Sequence, residues 1–270
     1  MPELPEVEVI AQGLDASLRG HIIQSVELLW PRAVAIPEPA AFVERVTGRR
    51  FARVWRRGKY LIFDLDDNQY LLAHLRMTGS FCLLPREEPL DPYVRAIFQL
   101  DGAYDLRFAD IRKFGRLYLV DQPHHILGEL GPEPLDPRFS PEQFAAMLRN
   151  RHARIKALLL DQTFLAGMGN IYTDEALFRA GIHPLRCSDS LSEAEGRRLY
   201  TAIQNVLRDA IARRGTTLDT YRDAEGKRGN NQYYLNVYGR KDAPCPRCGR
   251  PIERIVIGQR SAYFCAHCQL

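Results

Sequence analysis

Apolar and polar positions recur with two different periods along this chain, and the change of period divides it. Near the start, Ile10, Leu14 and Leu18 repeat every fourth residue, with Pro5 at the first turn and Gly20 just beyond the last apolar position. That spacing predicts one amphipathic helix that stops before Gly20. Short segments of β-like composition follow: Ser25 to Leu29, Phe51 to Trp55, Tyr60 to Leu65, Tyr70 to Leu75, Ser80 to Leu84, Ala96 to Leu100, Tyr104 to Phe108 and Arg116 to Val120. Turn signals such as Asp66-Asp67-Asn68 and Asp101-Gly102 separate them. The series predicts an antiparallel β-sandwich or barrel covered by the first helix.

Prolines gather between Pro123 and Pro141 and mark a linker. Beyond it the period becomes helical. Ser140-Pro141-Glu142-Gln143 is a capping box with proline at the first helical position. A helix around Ala153 to Leu160 carries Ile155, Leu158 and Leu159 on one face. A glycine-bounded turn from Phe164 to Asn170 leads into a helix from Ile171 to about Ala180, capped by Asn170 and closed by Gly181. A long amphipathic helix runs from about Glu193 to Arg213. The glycines and Asn170 allow backbone to approach a phosphate, although such a connection is also ordinary helix packing.

With 270 residues, 46% of them apolar, the chain can bury a sizeable core and divides into two domains plus an appendage. Apolar runs are short, so no membrane span is expected, and the start lacks the regions of a signal peptide, so a cytoplasmic protein is expected. The net charge of +4 is unevenly spread. Arg49, Arg50, Arg53, Arg56, Arg57 and Lys59 fall together without an acid, and a second basic stretch runs from Lys227 to Arg260. Clustering of this kind is the footprint of a polyanion partner, or simply a solvated basic surface.

Four of the six cysteines form Cys245-Pro-Arg-Cys248 and Cys265-Ala-His-Cys268, with sixteen residues between the pairs. Two C-x-x-C knuckles at this separation fit tetrahedral thiolate ligation of one structural zinc ion, with a β-hairpin between them. Its arms would be Pro251 to Ile257 and Ser261 to Phe264, with Gly258-Gln259-Arg260 at the tip. Disulfides are the alternative, disfavoured by a reducing compartment and the regular spacing. Cys82 and Cys187 read as lone core or near-surface residues with no metal role.

The opening Met1-Pro2-Glu3-Leu4-Pro5-Glu6 carries candidate chemistry. With Met1 removed, Pro2 presents a free secondary amine whose ordinary pKa lies near 8, far below that of lysine. Its attack on a sugar carbon gives an iminium that cannot discharge by losing an N–H, and so serves as an electron sink for elimination. If Met1 were kept, the Pro2 nitrogen would be an amide and this chemistry impossible; the small second residue predicts removal. The plainer alternative is that Pro2 and Pro5 only stiffen a terminus.

Taken together, these residues resemble the bacterial formamidopyrimidine-DNA glycosylase family, in the wider group that includes endonuclease VIII. The motifs are Pro2 to Glu6, Arg57-Gly-Lys59-Tyr60, His74-Leu-Arg-Met77-Thr-Gly79, Asp110-Ile-Arg112-Lys-Phe114-Gly115, Gly167-Met-Gly-Asn170-Ile-Tyr172, Gly181-Ile-His-Pro184, Val237-Tyr-Gly239-Arg240 and the cysteine knuckles. Their order covers essentially the whole chain.

The resemblance implies an α+β multidomain fold: an N-terminal β-sandwich with a flanking helix over residues 2–122 and a linker over 123–139. A helix–two-turns–helix DNA-binding domain over 140–217, a candidate lesion-covering loop over 218–236 and a zinc-binding β-hairpin over 237–270 complete it. It implies one structural zinc per chain on Cys245, Cys248, Cys265 and Cys268, and a monomer acting on double-stranded DNA that contains an oxidised purine or an abasic site. Pro2 becomes the nucleophile on C1′ of a flipped nucleotide, Glu3 the acid, and Glu6 a support. Lys59, Asn170 and Arg260 match the residues that hold phosphates around that nucleotide.

Met77, Arg112 and Phe114 match those that fill the vacated stack and probe the estranged base; His74 orients the site or contacts phosphate. Extruding a base costs a few kcal/mol, part of which apolar wedges recover. Arg112 can offer paired donors to an orphan cytosine. The implied activity is removal of 8-oxoguanine and formamidopyrimidines, followed by β,δ-elimination. The rivals are an endonuclease VIII-like preference for oxidised pyrimidines and a zinc-ribbon protein that binds damage without cutting.

Overall fold

The first helix forms where the four-residue apolar spacing places it. Helix α1 (Leu4–Leu18) buries Leu4, Val7, Ile10, Leu14 and Leu18, and Pro5 lies in its first turn. The computed structural model describes residues 1–270, in two units. One joins Met1–Gly128 to Arg213–Asn230, and the other joins Glu129–Ala212 to Asn231–Leu270.

In the first unit, α1 is followed by β1 (Ile23–Leu28), β2 (Val34–Ile36), α2 (Pro39–Val46), β3 (Phe51–Arg57), β4 (Tyr60–Leu65), β5 (Tyr70–His74), β6 (Gly79–Pro85), β7 (Val94–Leu100), β8 (Tyr104–Asp110), β9 (Arg116–Val120) and α3 (His124–Leu127). Two sheets result, in the orders β1-β7-β8-β6 and β2-β9-β5-β4-β3. Every pairing is antiparallel except that β2 runs parallel to β9 at one edge. The sandwich expected from the pattern is present. Phe63 of one sheet meets Phe81 of the other with ring centroids 5.3 Å apart, and Phe81 meets Phe108 at 5.0 Å. Such aromatic pairs add about 0.5–1.5 kcal/mol each beyond the area they bury.

Several elements differ from expectation. β1 begins two residues earlier than expected because Ile23 is fully buried and pairs with Leu100. β2 is three residues long, too short to show a period, and α2 starts at a proline and buries only Phe42 and Val46. Helix α3 falls within the proline-rich stretch read as a linker.

The second unit contains α4 (Pro141–Arg149), α5 (Ile155–Leu160), α6 (Asn170–Ala180), α7 (Glu193–Ala212), β10 (Glu253–Ile257) and β11 (Arg260–Phe264). The capping box at Ser140 is formed: its hydroxyl accepts the Gln143 N–H at 3.2 Å, and the Gln143 side chain accepts the Ser140 N–H at 2.9 Å. α6 packs against α7 and against β11. Two expectations are corrected. The N-cap of α6 is Gly169, with Asn170 as the first helical residue, and Gly181 closes the helix in the left-handed conformation (φ 72°). Arg260 opens β11, opposite Ile257, so that only Gly258 and Gln259 form the hairpin turn.

Candidate functional site

The chain start is held by its own carboxylates. Pro2 is buried, and Glu3 and Glu6 are 2% and 1% exposed. The Glu3 N–H donates to Glu6 Oε2 at 2.8 Å, as part of a capping box that closes the first turn of α1. The other Glu6 oxygen, Oε1, accepts the Thr216 N–H at 2.8 Å. Two buried carboxylates therefore flank Pro2 at the positive end of a helix, where negative charge is favoured.

Residues 213–230 pack on the same unit. Gly215 has φ 80°, and a Cβ there would lie 3.1 Å from Glu6 Oε1, so glycine lets the backbone reach that carboxylate. Tyr221 and Ala224 belong to the hydrophobic core with α1. Burial, and then the nearby Glu6, raises the Tyr221 phenol above its ordinary pKa. Asp223 pairs with Arg214 at 2.6 Å and accepts the N–H groups of Glu225 and Lys227.

Gly58 (φ 57°) and Lys59 make the two-residue turn between β3 and β4, where Arg57 pairs with Tyr60. Lys59 is 7% exposed. His74 faces Tyr60 across the ladder, and the rings meet edge-on at 4.7 Å. The Arg76 N–H donates to His74 Nδ1 at 3.0 Å, which leaves the ring proton on Nε2. Burial, with Arg76 and Lys59 nearby, pushes the imidazole down to about 3. His74 is therefore neutral at physiological pH, with its N–H at Nε2.

The turn that carries Arg112 and Phe114 is organised by one carboxylate. Asp110, 1% exposed, accepts the Thr78 hydroxyl, the Arg112 N–H (3.2 Å) and the Gly115 N–H (2.7 Å). The Thr78 hydroxyl also accepts the Arg112 N–H at 3.0 Å, which ties this turn to the one that carries Met77. A Cβ on Gly115 would lie 2.6 Å from Phe108 Cζ. Phe114 is 48% exposed, with the Arg112 guanidinium 4.7 Å from its ring centre. An exposed aromatic stacked on an arginine is apolar surface without a partner in the protein core.

In the second unit, Asn170 begins α6 with its Oδ1 buried and without a hydrogen-bond partner. The orphan oxygen accepts only and so calls for an external donor, whereas the N–H groups at the start of this eleven-residue helix are the donors that could face a phosphate. Arg260 is exposed. Its strand is anchored from below: Lys156 Nζ donates to Asp174 Oδ1 at 2.6 Å and to the Ser261 carbonyl at 2.5 Å, and Asp174 Oδ2 accepts the Tyr263 N–H at 3.0 Å. Glu175, the next residue, accepts the N–H groups of Asn236, Val237 and Tyr238 at 2.9, 2.9 and 3.0 Å. Burial pushes the Asp174 carboxyl up to about 7, against Lys156 and the Tyr263 N–H, which favour its charged form.

The four finger cysteines converge, all free of disulfides. Cys245 and Cys268 sulfurs are 3.9 Å apart, and those of Cys248 and Cys265 are 3.5 Å apart. A tetrahedron with zinc–sulfur bonds of 2.3 Å has edges of about 3.8 Å. The donor set and its spacing thus fit one structural zinc ion, and a disulfide, with sulfurs about 2.05 Å apart, does not.

The structure brings Pro2, Glu3 and Glu6 together, sets Lys59 beside His74, and joins the turns of Met77, Arg112 and Phe114. Sequence reasoning gave no role to Asp110, Lys156, Asp174 or Glu175. The signal available for Lys156 was a cation bordering the apolar face formed by Ile155, Leu158 and Leu159; for Glu175 it was an acid within a helix whose other residues are mostly buried.

Three family models match: the formamidopyrimidine-DNA glycosylase N-terminal domain over residues 1–117, its H2TH domain over 130–222, and the zinc finger found in FPG and IleRS over 243–270. The formamidopyrimidine-DNA glycosylase of Desulforamulus reducens is 47% identical over 100% of this chain and 99% of its own length. That of Herpetosiphon aurantiacus is also 47% identical, over 100% of both chains. Among solved structures, the MutM (FPG) protein of Thermus thermophilus aligns with TM-score 0.90 and 43% identity, covering 99% of this chain and 98% of that one. A Lactococcus lactis FPG mutant in complex with DNA containing Fapy-dG aligns with TM-score 0.93 and 37% identity, covering 99% of each.

Proposed function

Because this chain belongs to the formamidopyrimidine-DNA glycosylase family, we propose that it is a base-excision repair enzyme that removes oxidised purines from double-stranded DNA and then cuts the strand. It is a DNA glycosylase with AP lyase activity. Solved relatives in complex with Fapy-dG DNA and with abasic-site DNA support this substrate class. The observation that carries the chemistry is the buried chain start, with Pro2 beside two buried carboxylates.

With Met1 removed, the Pro2 lone pair forms a bond to C1′ of the damaged nucleotide while the bond from C1′ to the base breaks. Glu3 supplies the proton that lets the sugar ring open or the base depart. The adduct loses the Pro2 N–H proton to water as the ring C–O bond breaks, and the resulting iminium acidifies C2′; that proton also passes to water while its electron pair moves in to expel the 3′ phosphate oxygen. A second elimination expels the 5′ phosphate. Glu6 fixes the Glu3 backbone. Lys59, Asn170 and Arg260 hold phosphates around the extruded nucleotide, neutral His74 donates from Nε2, and Met77, Arg112 and Phe114 occupy the emptied stack. Residues 218–236 cover the extruded base. The zinc, held by Cys245, Cys248, Cys265 and Cys268, stabilises the hairpin that presents Arg260 and takes no part in bond breaking.

No helix is long and apolar enough to cross a membrane. Our reading places the enzyme in the cytoplasm as a monomer.

The test is borohydride trapping on duplex DNA carrying 8-oxoguanine opposite cytosine, with mass mapping of the adduct. A cross-link at Pro2 with Met1 absent is expected. A cross-link at Lys59 would keep the enzyme and remove its nucleophile; tight binding without adduct or cleavage would overturn the catalytic reading.

A further inference from the structure

A group of metal-ligating side chains lies outside the finger. His152, Cys187 and Asp189 each offer a ligand atom, and these atoms all fall within 4.8 Å of one another. His152 Nδ1 and Asp189 Oδ2 are 2.7 Å apart, and Cys187 is not in a disulfide. The sequence alone made Cys187 a lone residue; folding supplies its companions.

The backbone beneath them is rigidly clasped. Arg154 and Cys187 form an antiparallel bridge, the Ser188 N–H donates to the Ala153 carbonyl at 2.8 Å, and the Ile155 N–H donates to the Arg186 carbonyl at 2.8 Å. The Ser188 hydroxyl donates to the Arg151 carbonyl, and that of Ser190 to the Cys187 carbonyl at 2.8 Å. Thus His152 projects from one side of a closed clasp, and Cys187 and Asp189 from the other, without the entropy of assembling a site from loose loops.

We propose that His152, Cys187 and Asp189 form a second metal site, for one thiophilic divalent cation of the zinc class. A thiolate and a carboxylate together carry two negative charges, which balance such a cation, and neutral imidazole completes a three-ligand set. The fourth position is left to water. Edges of about 3.3–3.8 Å are needed around zinc with nitrogen, oxygen and sulfur donors. The His152–Asp189 contact, at 2.7 Å, therefore opens slightly on binding, a movement that rotation of a largely exposed histidine provides. The His152 side chain is 79% exposed and that of Asp189 38%, so the ion enters directly from solvent. Bound there, it would cross-link residues 151–154 to 187–189 and stiffen the entry into α5.

The test uses the full chain with its cysteine finger already loaded with zinc. Equilibrium dialysis against buffered free zinc, followed by elemental analysis, is expected to give two equivalents per chain for the wild type and one for C187S and for H152A. Cobalt added to the zinc-loaded protein is expected to develop a thiolate charge-transfer band that C187S lacks. Metal is also expected to raise the thermal midpoint of the wild type but of neither variant. His152 is exposed and Cys187 half-buried, and unchanged midpoints without added metal will show that the variants fold. One equivalent in the wild type, or a second equivalent that survives in both variants, would overturn the proposal. Neither result bears on the glycosylase reading, which uses none of these residues.

Discussion

Lys156 and Asp174 form an ion pair 2.6 Å long in which neither side chain is more than 1% exposed. One end of the pair holds the Ser261 carbonyl and the other the Tyr263 N–H, so that β11 is bound to α5 and α6 next to Arg260. A buried pair of this kind contributes more to register than to net stability, because desolvation offsets most of the Coulomb attraction.

Removing one partner leaves the other charge stranded. Lys156→Met or Asp174→Leu is expected to cost about 3–5 kcal/mol, whereas the double substitution is expected to cost less than either alone. Urea unfolding of the three variants measures this. Cleavage of abasic DNA by the folded double variant should fall chiefly through weaker binding, since Arg260 loses its anchored strand. A cost for the double variant equal to the sum of the two single costs would show that the pair does not act as a unit.

Glu6 closes two backbone donors at once, those of Glu3 and Thr216. Glu6→Ala is expected to destabilise by about 1–3 kcal/mol for each stranded N–H. Protease nicking within residues 213–230 should accelerate in the same variant, as that segment loses its hold on the chain start. Calorimetry and limited proteolysis read the two effects separately.

Gly115 has no room for a side chain, since a Cβ would lie 2.6 Å from Phe108 Cζ and 3.2 Å from Asp110 Oδ2. Gly115→Ala is expected to cost about 1–3 kcal/mol as an overpacked site. Because Asp110 sets the Arg112 turn, base excision opposite cytosine should drop by more than cleavage at a preformed abasic site. Parallel rate measurements on the two substrates check this.

His74 predicts a direction for acid stability. Unfolded, its ring takes a proton below about 6.5; folded, burial and the neighbouring Arg76 and Lys59 withhold that proton until about 3. The unfolded state therefore binds more protons between these values. Stability is full above pH 6.5 and declines as pH falls towards 3. Unfolding midpoints across this range should flatten in His74→Gln relative to the wild type.

Local chemistry made much of this legible. The period of Ile10, Leu14 and Leu18 gave α1, the turn dipeptides bounded the strands, and the knuckle spacing gave the metal ligands. What escaped was short or distant. β2 has only three residues, and α2 begins at proline and runs for only eight residues, too few to establish a period. Asn170 looked like a cap because asparagine favours that position, yet the preceding glycine takes it. Lys156 and Asp174 are eighteen residues apart, and Glu6 and Thr216 are 210 apart. No window of periodicity spans such separations, and only the folded chain reveals that Asp110 serves three donors.

The discontinuity of the first unit has a consequence for synthesis. A ribosome delivers residues 1–128 long before 213–230, and the whole helical portion emerges in between. Until then Glu6 has no Thr216 N–H to accept, and the surface of α1 around Gly13 lacks Ala224. The nascent sandwich therefore remains incomplete at the end that carries Pro2, and that end is finished only once most of the protein has been translated.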